Sequence, residues 1–303
     1  MSDHRIFDRA LVRKRRDRAA ANFASHDFLV REAAERIADR LLDVTRTFPV
    51  ALDLGCHTGE LAATLMGRGG IQTLVQADLS PAMAGRAAAN GHPSLAADEE
   101  WLPFADASFD LVMSVLSLHW VNDLPGALVQ IRRVLKPDGL FVGALLGGET
   151  LKELRQALSE AEIAEEGGLS PRVSPFADVP DVGRLLQRAG FTLPVADSET
   201  LTVRYGDPMR LMADLRGMGE TNAVADQRKG LTRRATLFQA LSRYAALFLG
   251  EDGRMPATFQ IVTMTGWAPH PSQPQPLKPG SATQSLAAAL NGDFPTPPQS
   301  GEY

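Results

Sequence analysis

Short apolar segments alternate with helix-like segments over residues 50–145 of the chain. The segments at residues 50–54, 73–77 and 109–115 have the length and residue types of buried strands. The segment at residues 124–135 has the apolar spacing of an amphipathic helix. An alternation of this kind builds βαβ units around a parallel sheet. The sequence therefore predicts an α/β fold.

Three regions differ in their residue patterns. Residues 1–48 have apolar side chains at helix-like spacing and are predicted to form an N-terminal helical extension. Residues 49–268 are predicted to form the main domain, with a helical cap inserted at about 207–249 between the last two strands. Residues 269–303 are rich in Pro, Ser and Gln and are predicted to form an extended tail.

The charge balance of the 303-residue chain is mildly acidic, with 31 Lys and Arg against 36 Asp and Glu and a formal net charge of −5. This balance argues against nucleic acid or an anionic membrane as the main partner. We therefore interpret the basic run Arg13-Lys14-Arg15-Arg16 as a solvated helix face. The single cysteine, Cys56, excludes an intramolecular disulfide, and no apolar run is long enough for a transmembrane segment.

A glycine turn follows the first predicted strand. Its glycines, Gly55 and Gly59, let the backbone turn tightly and approach a ligand closely. The helix that follows directs its N-terminal amides to the same place, which suits a carboxylate. The nicotinamide fingerprint G-x-G-x-x-G fails here, because its third position is His57 and its sixth is Glu60.

Acidic residues follow the next two strands. Asp78 ends the second strand, where a carboxylate can accept hydrogen bonds from two ribose hydroxyls. Asp98, next to Glu99, follows the third strand, where a carboxylate can accept a hydrogen bond from an adenine amine. The residues that can flank an adenine ring are Leu79, Leu102 and Trp101.

Five motifs occur in order: D-L-G-x-x-x-G, an acid after the second strand, D-x-x-x-L-P-F, S-F-D-L-V and R-V-L-K-P-D-G. In this order and spacing they resemble the class I S-adenosylmethionine methyltransferases. The resemblance implies a Rossmann-like class I methyltransferase sheet, with an N-terminal helical extension and an inserted helical cap, and S-adenosyl-L-methionine as cofactor. The residues that it implies for cofactor binding are Asp53, Gly55, Cys56, Gly59, Asp78, Leu79, Asp98 and Glu99.

These residues also have plainer interpretations. Asp53 can cap backbone amides, the two later acids can be solvated strand ends, and Cys56 and Trp101 can simply pack. Two positions depart from the methyltransferase pattern: His57 and Asp138 stand where that family usually has glycine. A side chain at His57 is expected to add bulk beside the methionine part of the cofactor, whereas Asp138 lies in a turn.

His119 follows the fourth strand, at the open carboxyl edge of such a sheet. It is the best-placed titratable group for proton transfer and is the candidate catalytic residue. The alternative is a packed histidine whose ring bonds to backbone groups. No His is followed two residues later by Asp or Glu, so the usual spacing of a non-haem iron site is missing from the sequence. We predict no metal site.

Further blocks of sequence are similar to the mitochondrial complex I assembly factors that have a methyltransferase fold and are described as protein-arginine hydroxylases. These blocks lie at residues 6–9, 51–56, 97–100, 116–125, 147–151, 174–176, 217–222, 256–261 and 280–283. The resemblance implies a protein substrate, the iron–sulfur subunit of the respiratory NADH–quinone oxidoreductase, which is hydroxylated on an arginine. We found no mitochondrial presequence and expect a bacterial relative that acts in the cytoplasm.

Two other functions stay open. The chain also resembles the carboxyl O-methyltransferases that act on malonyl carrier protein in biotin synthesis, in which the nucleophile is already charged and mainly needs alignment and desolvation. Arg204 and Arg216 are the candidate cations for the free end of a malonyl group. A third possibility is a catalytically silent assembly chaperone that binds the cofactor for stability. Glu149, Glu220 and Asp123, acids that can face an arginine-bearing substrate, are expected to be plain surface or capping residues.

Overall fold

One sheet of seven strands organises the computed structural model, which describes residues 5–228, 230 and 232–274. In chain order the strands are β1 (Val50–Leu54), β2 (Thr73–Asp78), β3 (Ser94–Ala96), β4 (Phe109–Val115), β5 (Leu135–Leu146), β6 (Thr192–Tyr205) and β7 (Met255–Trp267). Their spatial order is β3-β2-β1-β4-β5-β7-β6. β1 to β5 are paired in parallel, whereas β7 is antiparallel to both β5 and β6. The strand order therefore reverses between β1 and β4, where α/β sheets open a crevice for ligands.

Helices cover both faces of the sheet. In chain order they are α1 (Arg9–Ala19), α2 (Phe28–Arg40), α3 (Glu60–Leu65), α4 (Pro81–Ala87), α5 (Leu124–Val134), α6 (Lys152–Glu166), α7 (Val179–Arg188), α8 (Pro208–Gly217) and α9 (Arg234–Phe248). Buried side chains of α2, α6 and α8 belong to one large apolar cluster with the sheet, and those of α5 and α7 belong to a second. α8 and α9 lie in the sequence between β6 and β7, where the helical cap is predicted.

Local sequence signals set where these helices begin. The Ser80 hydroxyl accepts a hydrogen bond from the Met83 amide at 3.1 Å, and Pro81 follows as the first residue of α4. Asp123 caps α5 in the same way, by accepting from the Gly126 amide at 2.9 Å. Both arrangements satisfy helix N-terminal amides that have no partner within the helix. An N-cap side chain followed by proline in the first turn therefore sets the start of both helices.

The α/β fold is confirmed, and the strands of the alternating region, β1 to β5, are parallel as predicted. β7 lies beyond that region and pairs antiparallel with β5 and β6, because β6 and β7 form a long hairpin whose connection contains the two inserted helices. In addition, the expected turn at residues 137–139 lies inside β5 as an irregularity, where the register with β4 shifts. Asp138 there has a φ of +63°, a left-handed conformation that Asp tolerates better than most residues.

The described residues up to Pro269 form one compact unit, and residues 270–274 are the described part of a second. The predicted tail therefore lies mostly outside the described residues, as does the motif block at 280–283. The domain boundaries given above stay predictions. Within the described part of the chain, none of the helices is long and apolar enough to cross a membrane.

Candidate functional site

The glycine turn lies at the carboxyl edge of the sheet, directly after β1. Gly55 and Gly59 have φ angles of +76° and +99°, which side-chain-bearing residues rarely adopt. A Cβ atom at Gly55 would overlap the Ser117 side chain, and one at Gly59 would overlap Asn90. Both the backbone conformation and the close approach of neighbouring segments therefore require glycine at these two positions.

Asp78 is fully buried at the end of β2 and is bonded to the same turn. Its Oδ2 accepts a hydrogen bond from the His57 amide at 3.1 Å, and its Oδ1 accepts one from the Ser80 amide at 2.8 Å. The amides of Gly55 and Cys56 bond to the Ala77 carbonyl at 2.7 and 3.0 Å. Because β1 and β2 are neighbouring parallel strands, the glycine turn after β1 lies beside Asp78 at the end of β2.

The acids after β3 have different environments. Glu99 is fully buried and accepts a hydrogen bond from the Ser117 hydroxyl, which places it beside Gly55. The Asp98 side chain is 32% exposed and accepts a hydrogen bond from the Glu100 amide at 3.0 Å. Of these two neighbours, Glu99 is the one enclosed in the candidate site.

Arginine side chains of the N-terminal helix α1 occupy this acidic edge. The Arg16 guanidinium lies 3.4 Å from Asp78 and 3.4 Å from Glu99, and it donates to the Ser117 hydroxyl at 3.0 Å. Arg9 pairs with Asp98 at 2.6 Å and also with Glu99. Ion pairs with two N-terminal arginines thus link three of the four acids that the resemblance implies for cofactor binding, all but Asp53.

The interpretation of residues 13–16 as a solvated helix face is wrong for Arg16, which is 1% exposed. Arg13 and Lys14 are exposed, in line with that interpretation. The sequence did carry a signal, because Val12, Arg16 and Ala19 are spaced to share one face of the helix, and all three are buried. Arg16 is buried because it lies on this apolar face, and its ion-pair partners inside the protein are Asp78 and Glu99.

These ion pairs set the protonation of the site. Burial alone would raise the pKa of Glu99, but Arg9 and Arg16 outweigh it and lower that pKa to about 2. Burial likewise opposes the charge of Arg16, whereas Asp78 and Glu99 favour it and raise the Arg16 pKa above its ordinary value. The site therefore holds a charged network within the protein.

Asp53, the fourth residue of β1, has the opposite electrostatic environment. Its carboxylate is fully buried, and neither oxygen has a hydrogen-bond partner among the described residues. Burial, reinforced by the negative charge of Glu60, raises the pKa of Asp53 to about 8. Gln76 offsets part of this rise, although its Nε2 makes no well-aligned hydrogen bond to a described residue. Asp53 is therefore mainly protonated at neutral pH, with unused hydrogen-bonding capacity behind the glycine turn.

Replacing Asp53 by asparagine is expected to change how stability depends on pH. The folded protein keeps a proton on Asp53 until about pH 8, whereas the unfolded chain releases it near pH 3.9. The wild type therefore loses stability as the pH rises through this window, by up to about 1.4 kcal/mol per unit. Asp53→Asn should escape that loss. Urea unfolding at pH 5, 6.5 and 8 measures it, with Asp106→Asn as the exposed control. Parallel pH profiles for the wild type and Asp53→Asn would contradict the raised pKa.

The neighbours of Asp53 in the turn are packed into the protein. Cys56 is buried, and burial holds the pKa of its thiol well above the ordinary value, which favours a packed residue over a nucleophile. The His57 ring bonds to the Val115 carbonyl at 2.9 Å and stacks on Phe23, with 5.4 Å between ring centroids. The His57 ring therefore packs between β4 and the residues that follow α1. It does not add the bulk that was expected beside the cofactor.

The apolar residues proposed to flank an adenine ring are dispersed. Trp101, which was expected to pack, is 80% exposed, whereas Leu102 is buried. Leu79 is partly buried against a small apolar cluster that includes Phe7 and Trp120. Leu79 thus packs against the cluster that contains Phe7 and Val12 of the N-terminal segment, whereas Leu102 belongs to another cluster.

His119 lies in a 3-10 turn after β4, and its side chain is 1% exposed. Its Nε2 lies 3.0 Å from Glu220, and Glu220 also accepts hydrogen bonds from the Trp120 indole at 3.0 and 3.1 Å. Although burial opposes it, contact with His119 and Trp120 lowers the pKa of Glu220. The His119 Nδ1 has no partner among the described residues. The expectation that Glu220 is a plain surface or capping residue is therefore wrong: its side chain is only 11% exposed, and it orients His119.

Cavities lie on both sides of the His119–Glu220 pair. Trp120 and Glu220 border one cavity of about 530 Å³, and His119 and Asn122 border another of about 620 Å³. Phe176 contributes to both linings. Over the described ranges, no group of three His, Cys, Asp or Glu side chains is arranged to hold a metal ion.

Comparison with known proteins agrees with this architecture. A family model described as "Methyltransferase domain" matches residues 52–143. The chain is 46% identical to "Arginine-hydroxylase NDUFAF5, mitochondrial" of Danio rerio, over 93% of this chain and 88% of that protein, and 48% identical to the Homo sapiens protein of the same name, over 93% and 82%. It is 37% identical to a "Malonyl-[acyl-carrier protein] O-methyltransferase" of Methylovorus sp. (strain MP688), over 88% and 92%.

Solved structures share the fold at low sequence identity. A phosphoethanolamine N-methyltransferase 2 of Haemonchus contortus, in complex with S-adenosyl-L-methionine, aligns with a TM-score of 0.54 and 14% identity over 86% of this chain and 60% of that chain. A putative methyltransferase from Bacillus halodurans aligns with a TM-score of 0.52 and 17% identity over 77% and 99%. The class I methyltransferase fold predicted from the five motifs is confirmed.

The predicted cytoplasmic location is wrong on these comparisons. The Danio rerio, Homo sapiens and Mus musculus relatives are all named as mitochondrial. These names point to the mitochondrion rather than the cytoplasm.

Proposed function

Since the chain belongs to the methyltransferase-fold family of the NDUFAF5 arginine-hydroxylases, with malonyl-carrier-protein O-methyltransferases as more distant relatives, we propose that it is an enzyme that hydroxylates an arginine of a protein. The substrate that we propose is the iron–sulfur subunit of the respiratory NADH–quinone oxidoreductase, modified during assembly of that complex. The observation that carries the proposal is the 46–48% identity over 93% of the chain. This match extends well beyond the methyltransferase domain at residues 52–143.

We further propose S-adenosyl-L-methionine as the cofactor, and the chemistry of the site supports it. Asp78 would hold the ribose hydroxyls, Asp98 or Glu99 the adenine amine, and the glycine turn with Asp53 the methionine part. The unpartnered, buried oxygens of Asp53 are consistent with a polar ligand at this turn. When bound, the cofactor would supply an electrophilic methyl group on its sulfonium, which a carboxyl methylation consumes and an arginine hydroxylation does not. Because Arg16 now contacts Asp78, the ribose would have to take the place of that guanidinium.

Asp78→Asn should weaken cofactor binding by more than about tenfold, because the neutral amide loses charge-assisted hydrogen bonds to the ribose. Calorimetric titration with S-adenosyl-L-methionine and with its demethylated product measures the effect. The matched control is Asp138→Asn, at the irregularity in β5, where asparagine also tolerates the φ of +63°. Equal affinities for the two variants, both shown to be folded by circular dichroism, would remove Asp78 from the proposed site.

In the proposed reaction, the His119–Glu220 pair moves a proton at the substrate. Glu220 holds Nε2 of the ring at 3.0 Å, and Nδ1 has no partner among the residues described. An imidazole oriented in this way by a carboxylate is a common general-acid or general-base arrangement. The motif block at residues 217–222, which supplies Glu220, lies outside the methyltransferase domain match. Glu220 would therefore belong to the acceptor side of the site.

Mass spectrometry of the iron–sulfur subunit tests the proposed function. We expect one arginine to gain the mass of one oxygen atom in cells that carry this gene and to lack it in cells without the gene. Hydroxylation consumes an oxygen donor, either a peroxide or dioxygen with two reducing equivalents, so an assay with purified protein must supply one. An identical arginine mass in the two strains would refute the proposal.

A second candidate is O-methylation of malonyl carrier protein. The 37% identical relatives carry that name, and Arg216 lines the cavity of about 530 Å³ beside Glu220 as a cation that can face a carboxylate. Complementation separates the two functions. If the gene restores growth of a biotin-requiring deletion strain and leaves an arginine-hydroxylation defect uncorrected, the carboxyl methyltransferase replaces the hydroxylase as the proposed activity.

A further inference from the structure

Three arginines converge on a cavity of about 300 Å³ between the N-terminal helix and the inserted cap. Arg15 and Arg18 come from α1 and Arg216 from the last turn of α8, and Leu11 and Thr221 complete the lining. We call this space the arginine cavity. It is distinct from the acidic edge at Asp78 and Glu99, which Arg16 contacts from the same helix.

No acidic side chain is among the described residues that line the arginine cavity. The Arg18 and Arg216 side chains make no hydrogen bond or ion pair to any residue within 5–228, 230 and 232–274. Arg15 donates only to neutral groups, the carbonyls of Thr221, at 2.6 Å, and Asn222. Burial and then the positive charge of Arg18 lower the pKa of Arg15. Like charges three residues apart on a helix destabilise it, so this arrangement costs stability unless an anion binds there.

The arginine cavity lies next to the cavity of about 530 Å³ described above, and Arg15, Arg216 and Thr221 line both. The larger cavity is mainly aliphatic, and we call it the apolar cavity. Its apolar lining includes Leu154, Leu158, Val173, Met212, Leu215 and Leu237. Met212 gives this wall an adaptable side chain. Two positively charged side chains, Arg15 and Arg216, thus lie where the two cavities meet, beside a mainly apolar lining.

The other charged residues of the apolar cavity are already neutralised. Arg172 pairs with Glu162 at 2.7 Å, and Arg228 pairs with Glu166. Glu220 is the one acid among the described lining residues, and its oxygens are taken by His119 and Trp120. Among the described lining residues, the charged side chains without an ion pair are therefore Arg15 and Arg216, which line both cavities.

We propose that the two cavities form one binding site for a small anionic amphiphile, with a carboxylate or phosphate at Arg15, Arg18 and Arg216 and an aliphatic chain in the apolar cavity. Each cavity is within or near the size range of small-molecule sites, about 300–1,000 Å³. Arginine suits such an anion because its fork of donors matches two oxygens at once. The enclosing aliphatic walls favour a single chain over an extended protein surface. This proposal stands apart from arginine hydroxylation and is tested by binding alone.

Calorimetric titration with decanoate, kept below its micelle concentration, is the first test. We expect saturable binding of one decanoate, with decanol and decyltrimethylammonium each bound at least about tenfold more weakly, because they lack the charge-assisted hydrogen bonds. Lengthening the carboxylate from octanoate to decanoate should tighten binding by about two- to fourfold per methylene, as expected for burial of an aliphatic chain. Equal affinity for decanoate and decanol would overturn the proposal.

Arginine-to-glutamine variants test where the carboxylate of decanoate binds. Arg18→Gln and Arg216→Gln are each expected to weaken decanoate binding by about tenfold, whereas Arg13→Gln, an exposed position on the same helix, should leave it unchanged. All three positions are accessible to solvent, and thermal unfolding verifies that the variants are folded. Undiminished affinity in both cavity variants, or an equal loss in the Arg13 control, would place the ligand elsewhere.

Vesicles distinguish a free ligand from a membrane lipid. The purified full chain should bind monomeric decanoate and show no salt-sensitive co-sedimentation with vesicles of phosphatidylcholine and phosphatidylglycerol. Binding to those vesicles without binding of decanoate would overturn the proposal in favour of a membrane-facing basic surface.

Discussion

Arg16→Met should lower the free energy of unfolding by about 3–5 kcal/mol at neutral pH. The change removes the guanidinium that lies 3.4 Å from both Asp78 and Glu99 and leaves two fully buried carboxylates with less compensation. Methionine fills much of the same volume, so the loss reports charge rather than a cavity. Urea unfolding followed by circular dichroism measures it.

Arg13→Met is the matched control for this prediction. Arg13 is exposed on the same helix, so its replacement should change the free energy of unfolding by no more than about 0.5 kcal/mol. Arg16→Lys, which keeps a charge but not the fork of donors, should lie between the two. A loss below about 1 kcal/mol for Arg16→Met would mean that the two acids find other partners.

Acid unfolding gives the same prediction a second readout. In the wild type the pKa of Glu99 is lowered to about 2, so its contribution to stability is present above the ordinary Glu pKa of about 4.3 and is lost as the pH falls through about 2. Without Arg16 the pKa of Glu99 should rise. The acid-unfolding midpoint of Arg16→Met should therefore lie at higher pH than that of the wild type.

His119→Gln should reduce the rate of substrate modification by about 10²–10⁴-fold and leave cofactor affinity within about twofold. The ring is held by Glu220 on one side and has an unpartnered Nδ1, which is the arrangement needed for proton transfer. Glutamine can still donate to Glu220, so the fold should persist. Single-turnover assays on the proposed substrate, the iron–sulfur subunit, measure the rate, and calorimetry measures binding of the proposed cofactor, S-adenosyl-L-methionine.

Two further variants separate chemistry from packing at His119. His92→Gln, at a partly exposed histidine before β3, should leave the rate unchanged. Glu220→Gln should slow the reaction less than His119→Gln does, because Glu220 only orients the ring and the glutamine oxygen can still accept its hydrogen bond. A His119→Gln variant with full activity would show that the imidazole only packs against Trp120 and Phe176.

The sheet and the glycine turn were predictable because their signals are local. A run such as residues 109–115 is apolar and bounded by turn residues, and the structure has a strand at Phe109–Val115. Similarly, the turn has φ angles of +76° at Gly55 and +99° at Gly59, and glycine is the residue that tolerates such angles best. In both cases the sequence neighbours decide the conformation.

The charge partners were not predictable in this way, because each pairing joins distant segments. Arg16 meets Asp78 and Glu99 across 62 and 83 residues, and His119 meets Glu220 across 101. Charged residues are mostly exposed in proteins, so the general expectation favoured a surface role for Arg16 and Glu220. Arg16 and Glu220 are instead largely enclosed because α1 and residues 217–222 pack against the edge of the sheet. The direction of β7 was left unpredicted for a related reason, since alternation within a strand does not record its direction.

The position of β7 constrains the order in which the chain can fold. β7 lies between β5 and β6, so β6 joins the sheet only through a strand that ends at Trp267. β1 to β5 are complete in the sequence by Leu146, but β7, the strand that pairs with the free edge of β5, begins more than a hundred residues later. During synthesis that edge is left unpaired while β6, α8 and α9 emerge, and an unpaired apolar edge is prone to aggregation. Truncation before Met255 should therefore yield insoluble protein even though every residue of the glycine turn and of β1 to β5 is present.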